Sequence, residues 1–171
     1  MKNITKIFAI ALVALGFATS SFAQGTDTES ATASAKIVES LVLTNTVPLN
    51  FGTMTVPTSA ATVTVAPAGA RSKTGTLSLL TIAPVSSDAT YTVSGDNNAA
   101  YTITLPSAPV TITTGSVTMD ITTFKCTSDL LTRTLDASGD DTFDVGATLN
   151  LVNGQAAGLY TGSFDVVVNY N

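Results

Sequence analysis

Histidine is absent from this sequence, which limits the chemistry open to its other side chains. Histidine is the commonest general base, the usual partner of a nucleophilic serine or cysteine, and the commonest zinc ligand. Paired carboxylates could still support hydrolysis. The acidic residues, however, fall mainly in apparent turns, where carboxylates cap backbone amides: Asp88, Asp96, Asp136, Asp140, Asp141 and Asp144. We therefore predict a protein that is not an enzyme and has no catalytic residue, no cofactor and no metal.

The single cysteine, Cys126, excludes both an internal disulfide and a thiolate metal cluster. Its neighbours Thr127, Ser128 and Asp129 supply no cation or histidine of the kind that activates a thiol. We predict that Cys126 is inert. Pairing with a second chain is the alternative.

Two further stretches could bind ions. Residues from Asp136 to Asp144 carry oxygen side chains at alternate positions, as calcium loops do. An EF-hand loop requires glycine at its sixth position and glutamate at its twelfth, and these positions hold Asp141 and Ala147. The stretch instead predicts a β-turn with Gly139 in a left-handed conformation. The second stretch is an apparent loop whose Arg71 and Lys73 lack phosphate-loop spacing, so we expect them to be solvated or to dock a partner's carboxylates.

The N-terminus predicts an exported protein. Lys2 and Lys6 precede an apolar run of eleven residues, 7–17, and a small-x-small cleavage site ends at Ala23. That run is too short for a helix that crosses a bilayer, which needs about 20 apolar residues. We predict a signal peptide over 1–23 and no membrane insertion after its cleavage. The protein is then expected in the periplasm, on the cell surface or outside the cell.

Charge also restricts the partners. The sequence has 7 basic and 12 acidic residues. Loss of Lys2 and Lys6 with the signal peptide would leave five basic residues against twelve acidic ones, a net charge of −7. Because nucleic acids and anionic membranes bind clustered Lys and Arg, neither is an expected partner.

Short alternating segments separated by turn residues predict an all-β fold after a mobile polar leader over 24–34. We predict a single domain over 35–171, an immunoglobulin-like (pilin-like) antiparallel β-sandwich. Residues 37–42 also satisfy helical spacing, but their context favours a strand. The predicted strands are 35–44, 47–52, 61–66, 75–82, 89–94, 100–105, 109–114, 117–124, 142–152 and 159–170.

The last predicted strand has one apolar face. Its even positions are aromatic, glycine or β-branched, whereas most odd positions are polar. Glycine on that face leaves a notch, which either accepts a strand from a partner or is filled by the protein's own core. The possible strand-assembly face consists of Gly158, Gly162, Phe164, Val166, Val168 and Tyr170.

This terminal segment, from a glycine to a penultimate tyrosine, resembles the last strand of bacterial pilus subunits that periplasmic chaperones assemble. A wider series of motifs, over about 35 to 171, resembles a bacterial domain-of-unknown-function family numbered forty-four zero two. The resemblance implies an exported subunit similar to pilin and spore-coat-type proteins, with no established activity and no catalytic residue. The motifs are Leu49-Asn50-Phe51-Gly52, residues 102–106, 135–139 and 143–149, and the run from Asn153 to Gly162 with its Gln-Ala-Ala-Gly-x-Tyr-x-Gly core.

Two functions follow as expectations. The leading one is an exported structural or adhesive surface subunit, whose partners would be itself or other surface subunits joined by strand addition. The alternative is a self-contained secreted module that binds a ligand such as a glycan. The absence of tryptophan argues against stacking on sugars.

Overall fold

The structure is a computed structural model that describes residues 25–171. Contacts divide the chain into residues up to Lys36 and the unit Ile37–Asn171, and each is described by itself. Residues 25–36 are exposed and have no regular secondary structure. The predicted signal peptide, residues 1–23, lies outside the described residues.

The unit Ile37–Asn171 is an all-β domain of two antiparallel sheets in a sandwich-like arrangement. The prediction of an all-β antiparallel sandwich is thus confirmed. A 3-10 turn, Thr127–Asp129, is the helical element of the described residues. The strands are β1 Val42–Val47, β2 Ala61–Val65, β3 Arg71–Thr74, β4 Ala89–Ser94, β5 Ala100–Thr104, β6 Val110–Thr114, β7 Val117–Cys126, β8 Thr132–Thr134, β9 Asp140–Leu151 and β10 Val167–Tyr170.

Strand β9 is the centre of the larger, seven-stranded sheet. Its first half pairs with β4, which in turn pairs with β1. Its second half lies between β2 and β7, so that Leu149 pairs with both Val63 and Ile121. Strand β3 extends the sheet beyond β2, and β6 extends it beyond β7. The smaller sheet has the order β10-β5-β8.

Gly146 marks the point where β9 passes from β4 to β2. A Cβ atom at this residue would overlap the carbonyl oxygen of Val65 and lie 2.7 Å from the nitrogen of Pro67. Strand β7 is irregular opposite this point, with a register shift between Thr122 and Lys125. Close backbone approach at a glycine, together with an irregular neighbour, is how a strand bends at the corner of a sandwich.

The bend separates two clusters of buried side chains. The first cluster is formed by β2, β6, β7 and the second half of β9, and Phe51 and Leu77 cover it. The second is formed by β4, β5 and the first half of β9, where Tyr91 stacks on Phe143 with ring centroids 5.4 Å apart. The two clusters are therefore covered differently: irregular chain covers the first, and strands cover the second.

Most predicted strands overlap an observed strand, but several of their predicted first or last residues are wrong. Apart from Val47, which ends β1, segments 47–52 and 75–82 make only isolated bridges, at Asn50 with Ser87 and at Leu79 with Met54. Four apolar residues of these segments contribute to the first cluster without belonging to a ladder: Leu49, Phe51, Leu77 and Leu79. Segment 35–44 becomes a strand only at Val42. Strands β3 and β8 were not predicted, because both are short, polar and at sheet edges.

The predicted long strand 159–170 is also wrong in extent. Thr161 bridges Thr113 at the edge of the larger sheet, whereas Val167–Tyr170 pairs with β5 in the smaller one. The segment thus changes sheets, and the residues between have no ladder partner. Its alternation could not reveal the change, because the even side chains face the interior in both sheets.

Candidate functional site

The stretch from Asp136 is a turn, as predicted. Gly139 has φ 87°, the left-handed conformation. One carboxylate oxygen of Asp136 accepts hydrogen bonds from the amides of Asp140 (2.9 Å) and Ser138 (2.7 Å), and these bonds lower the pKa of Asp136. Within residues 25–171, no group of three or more Cys, Asp or Glu side chains is placed to hold a metal ion.

Cys126 is buried at the end of β7, inside the second cluster. Burial raises the pKa of its thiol. A protonated, enclosed thiol is a poor nucleophile and metal ligand.

The expectation that Arg71 and Lys73 lie in a loop is wrong. Both lie on the edge strand β3. The Arg71 guanidinium donates hydrogen bonds to the carbonyl oxygens of Phe51 (3.0 Å), Thr53 (3.3 Å) and Leu80 (2.7 Å). Lys73 donates to the carbonyl oxygen of Leu77. The two cations therefore tie the irregular chain over the first cluster to the sheet.

One ion pair was not predicted from the sequence. Arg133 on β8 makes two bonds to the Asp141 carboxylate on β9, from Nε at 2.6 Å and from Nη2 at 2.8 Å. Tyr101 on β5 donates a third bond to Asp141, at 2.7 Å. Burial raises the pKa of Asp141, but the bonds from Arg133 and Tyr101 outweigh it and lower the pKa overall. This cluster links the two sheets.

Asp141→Asn should lower the free energy of unfolding at pH 7 by about 1.5–3 kcal/mol, since bonds to a charged group are lost. Because folding depresses this pKa, the stabilisation is fully present above the unfolded value, about 3.9. It is lost as pH falls through the folded value. Urea unfolding of both proteins from pH 7 to pH 2 should show the difference shrinking in the acid range. A difference that is constant over this range would contradict the linkage.

A groove of about 610 Å³ opens over the first cluster. Its floor is apolar and includes Ile112, Met119, Ile121, Leu149 and Leu151. Its walls are two chain segments, residues 49–57 and 155–164. None of the residues that line the groove carries a charge, although the chain as a whole is acidic.

The first wall offers an open backbone edge. Thr53 accepts a hydrogen bond from the Leu80 amide, and the Thr55 amide donates to Ser78. Backbone groups alternate sides along an extended chain, so those of Met54 and Val56 point away from Leu80, toward the groove. Among residues 25–171, the amides of Met54 and Val56 have no backbone acceptor. Val56 also exposes 48% of its surface.

The second wall offers a matching edge. Thr161 exchanges two backbone hydrogen bonds with Thr113, each 2.9 Å long. The backbone groups of Tyr160 and Gly162 therefore point away from β6, toward the groove, and within the described chain their amides have no backbone acceptor. Leu159, 71% exposed, lies on this wall. We call residues 52–57 and 158–163 the two rims.

Gln155 fixes the second rim. Among the residues that the structure describes, it is the one polar residue that is buried, with 6% of its surface exposed. Its amide nitrogen donates to the carbonyl oxygen of Thr118 (3.1 Å) and to the Tyr160 hydroxyl (2.9 Å). The Tyr160 hydroxyl in turn donates to the carbonyl oxygen of Ala156 (2.8 Å). The Gln-Ala-Ala-Gly-x-Tyr-x-Gly motif therefore builds one wall of the groove.

The structure divides the predicted strand-assembly face between two places. Gly158 and Gly162 are exposed and lie against β6, where a Cβ atom at Gly162 would be 2.7 Å from Cγ2 of Ile112. The protein's own side chain thus occupies the space beside Gly162, and the groove opens next to it. The remaining members are half-buried against the second cluster: Phe164, Val166, Val168 and Tyr170.

The last of these residues is also held by hydrogen bonds. The Tyr170 hydroxyl accepts from the amide of Asp96 and donates to the carbonyl oxygen of Glu39, both at 2.7 Å. This end of the predicted face is therefore committed to the protein's own fold. The groove and its rims are the candidate functional site.

Gly162→Ala should lower the free energy of unfolding by about 1–3 kcal/mol, because the added methyl group overpacks against the stiff Ile112 side chain. Urea unfolding measures the effect. Asp165→Ser, at an exposed neighbouring position, is the control and should change stability by less than about 0.5 kcal/mol. Equal stabilities for Gly162→Ala and the wild type would mean that Ile112 does not occupy this space.

Residues 41–170 match the family described as "Domain of unknown function (DUF4402)". The chain belongs to this family. The match covers β1 to β10 and includes both rims of the groove. No curated protein and no solved structure matches the chain.

Among the residues that the structure describes, no helix is long and apolar enough to cross a membrane. No Asp, Glu, Lys, Arg or Cys side chain is among the residues that line the groove.

Proposed function

We propose that this DUF4402 protein is an exported, non-enzymatic structural or adhesive subunit, pilin-like and immunoglobulin-like in architecture, that joins other surface subunits by β-strand addition. The observation that carries this proposal is the groove. Two rims present unpaired backbone edges on either side of an uncharged, apolar floor. In β-strand addition, an extended segment pairs with such edges, and pockets beneath receive its alternate side chains.

Natural proteins usually protect an open edge, since it can pair with any exposed strand. Arg71 binds the carbonyl oxygens of Phe51 and Thr53, at the start of the first rim, and that of Leu80. The residues that line the groove itself are all uncharged. An uncharged lining of this kind favours rims that are kept open for a partner.

Export and the lack of enzymatic activity rest on the sequence. Residues 1–23 have the organisation of a signal peptide. The chain has no histidine, and the two carboxylates with lowered pKa values serve a turn and an ion pair. Both carboxylates therefore have a role in stabilising the fold.

The groove volume also supports the alternative of a self-contained ligand-binding module, since small-molecule sites commonly measure about 300–1,000 Å³. The two functions differ in an observable way. A soluble ligand such as an oligosaccharide would raise the melting temperature of the monomer without changing its size. Strand addition would instead increase the size of the particle, because it joins one chain to another.

The test of the proposed function is the double variant Val56→Asp/Leu159→Asp, which places a charge on each rim. Both side chains are exposed, so the fold should survive. Leu130→Asp, 57% exposed and outside the groove, is the matched control. We expect the double variant to lose assembly with surface subunits, measured by crosslinking on cells followed by light scattering of the released material. Assembly equal to that of Leu130→Asp would contradict the proposal.

A further inference from the structure

We propose that Asn153 is a site of spontaneous deamidation, and that a hydrogen bond between the two walls of the groove controls the rate of this reaction. The backbone nitrogen of Gly154 loses its proton and attacks the side-chain carbonyl carbon of Asn153, and ammonia leaves. Water then opens the resulting succinimide ring at either carbonyl, which gives aspartate or isoaspartate. This site would react whether or not the proposed function holds.

The sequence singles out Asn153 for this chemistry. It is the one asparagine in the chain that is followed by glycine. Glycine has no Cβ atom to obstruct the attack of its own nitrogen. Every other asparagine that has a residue after it is followed by one with a side chain, which hinders closure of the ring.

The structure leaves the Asn153 side chain able to react. Asn153 and Gly154 are both exposed and form the turn after β9. Among residues 25–171, the Asn153 carboxamide makes no hydrogen bond. A Cβ atom at Gly154 would meet no heavy atom within 4 Å, so the turn has room to form the ring. Four other asparagine side chains are held by hydrogen bonds: Asn45, Asn50, Asn150 and Asn171.

One hydrogen bond opposes the reaction. The Gly154 amide donates to the carbonyl oxygen of Pro57 at 2.9 Å. Base cannot remove an amide proton that is held in this way, so the nitrogen can attack only after the bond has opened. Pro57 is the last residue of the first rim, and Gly154 directly precedes the second wall, so this bond joins the two walls. The reaction therefore requires the walls to separate at this point.

A second threonine keeps the chain beside Pro57 in place. The next residue, Thr58, bonds to the Thr76 hydroxyl through its amide (3.0 Å) and its own hydroxyl (2.8 Å). Removal of the Thr76 hydroxyl should therefore loosen Pro57 without altering the reacting groups. Thr74 makes the same pair of bonds inside the larger sheet, to the amide (3.1 Å) and hydroxyl (2.8 Å) of Thr62.

The product would disturb the second wall of the groove. Deamidation adds a negative charge beside an uncharged groove, and isoaspartate also lengthens the main chain by one carbon atom. The change lies shortly before Gln155, whose bonds to Thr118 and Tyr160 fix the second rim. Ageing of the protein would thus loosen the second rim.

Peptide mapping by mass spectrometry tests the inference, since it follows the conversion of each asparagine separately. The full chain, expressed so that export and processing occur, is incubated in mildly alkaline buffer, both folded and unfolded in guanidinium chloride. Asn153→Gln is the variant at the site, because its longer side chain would have to close a larger, less favourable ring. Thr76→Val loosens the hydrogen bond to Pro57, and Thr74→Val is its matched control. Thermal melting confirms that each variant is folded.

We expect Asn153 to convert faster than any other asparagine of the folded protein, and Asn153→Gln to stay intact at this position. The folded protein should react at least about fivefold more slowly than the unfolded chain, the factor that one hydrogen bond typically supplies. Thr76→Val should move the rate toward that of the unfolded chain, whereas Thr74→Val should react like the wild type.

The inference would be overturned if Asn153 stayed intact in the folded protein or if another asparagine converted first. Equal rates for the folded and unfolded chains, or for Thr76→Val and Thr74→Val, would overturn the control by the Pro57 bond. Protein that contains isoaspartate should also melt at a lower temperature than Asn153→Asp, which carries the same charge without the longer main chain. Equal melting temperatures would overturn the effect on the second rim.

Discussion

Gly146→Val should leave no cooperatively melting domain. The Cβ atom of any larger residue at this position would overlap the Val65 carbonyl oxygen and crowd the backbone of Ala66 and Pro67. Backbone cannot move aside as a flexible side chain can, so β9 would have to leave β2. That loss would separate the two clusters at the bend and exceed about 4–5 kcal/mol, out of a typical total of about 5–15 kcal/mol. Thermal melting followed by circular dichroism measures it.

Thr148→Val is the control for Gly146→Val, since it also introduces a valine into the second half of β9. It removes the hydrogen bond between the hydroxyl groups of Thr148 and Thr64 (2.9 Å) and should cost only about 0.5–1.5 kcal/mol. If Gly146→Val melted cooperatively within a few degrees of this control, β9 would not bend against β2 as described.

Phe143→Ala should lower the free energy of unfolding by about 3–5 kcal/mol. Phe143 is 1% exposed at the centre of the second cluster and stacks on Tyr91. Its removal leaves a cavity bounded by β-strands, which relax little. Urea unfolding gives the difference.

The neighbouring side chain provides the control for Phe143→Ala. Thr142 on the same strand is exposed, so Thr142→Ala should change stability by less than about 0.5 kcal/mol. A loss of less than 1 kcal/mol for Phe143→Ala would indicate that the second cluster is not packed as described.

Local patterns in the sequence were sufficient to predict the fold class. Alternation in segments such as 61–66 and 89–94 corresponds to β2 and β4, and Gly139 has the turn conformation expected from its surroundings. Such features depend on neighbours in sequence, because the period of a strand and the φ of a turn are local properties.

Features that depend on distant residues were not predicted. Strand β9 keeps the same alternation on both sides of Gly146, so nothing in its pattern shows a change of partner. Arg133 and Asp141 lie on different strands, and they meet only because of how those strands are placed in the fold. Arg71 was misassigned to a loop because an edge strand with polar residues has the composition of one.

The candidate site was predicted in part. The Gln155 to Gly162 motif stood out in the sequence, but its role as a rim follows only from the bonds of Gln155 to Thr118 and Tyr160. The opposite rim, 52–57, has no regular secondary structure and gave no signal of its own. The groove forms only because the folded chain brings together two segments that are about a hundred residues apart in the sequence.

Strand addition at the groove is the central claim, and amide hydrogen exchange of the rims tests it most directly. The amides of Met54, Val56, Tyr160 and Gly162 should exchange rapidly in dissociated protein, because they have no backbone acceptor. In the assembled protein an inserted strand supplies acceptors, and their exchange should slow by at least about tenfold. The amide of Val63, inside the larger sheet, should be protected in both states. Assembly that leaves the exchange of the four rim amides unchanged would contradict the account.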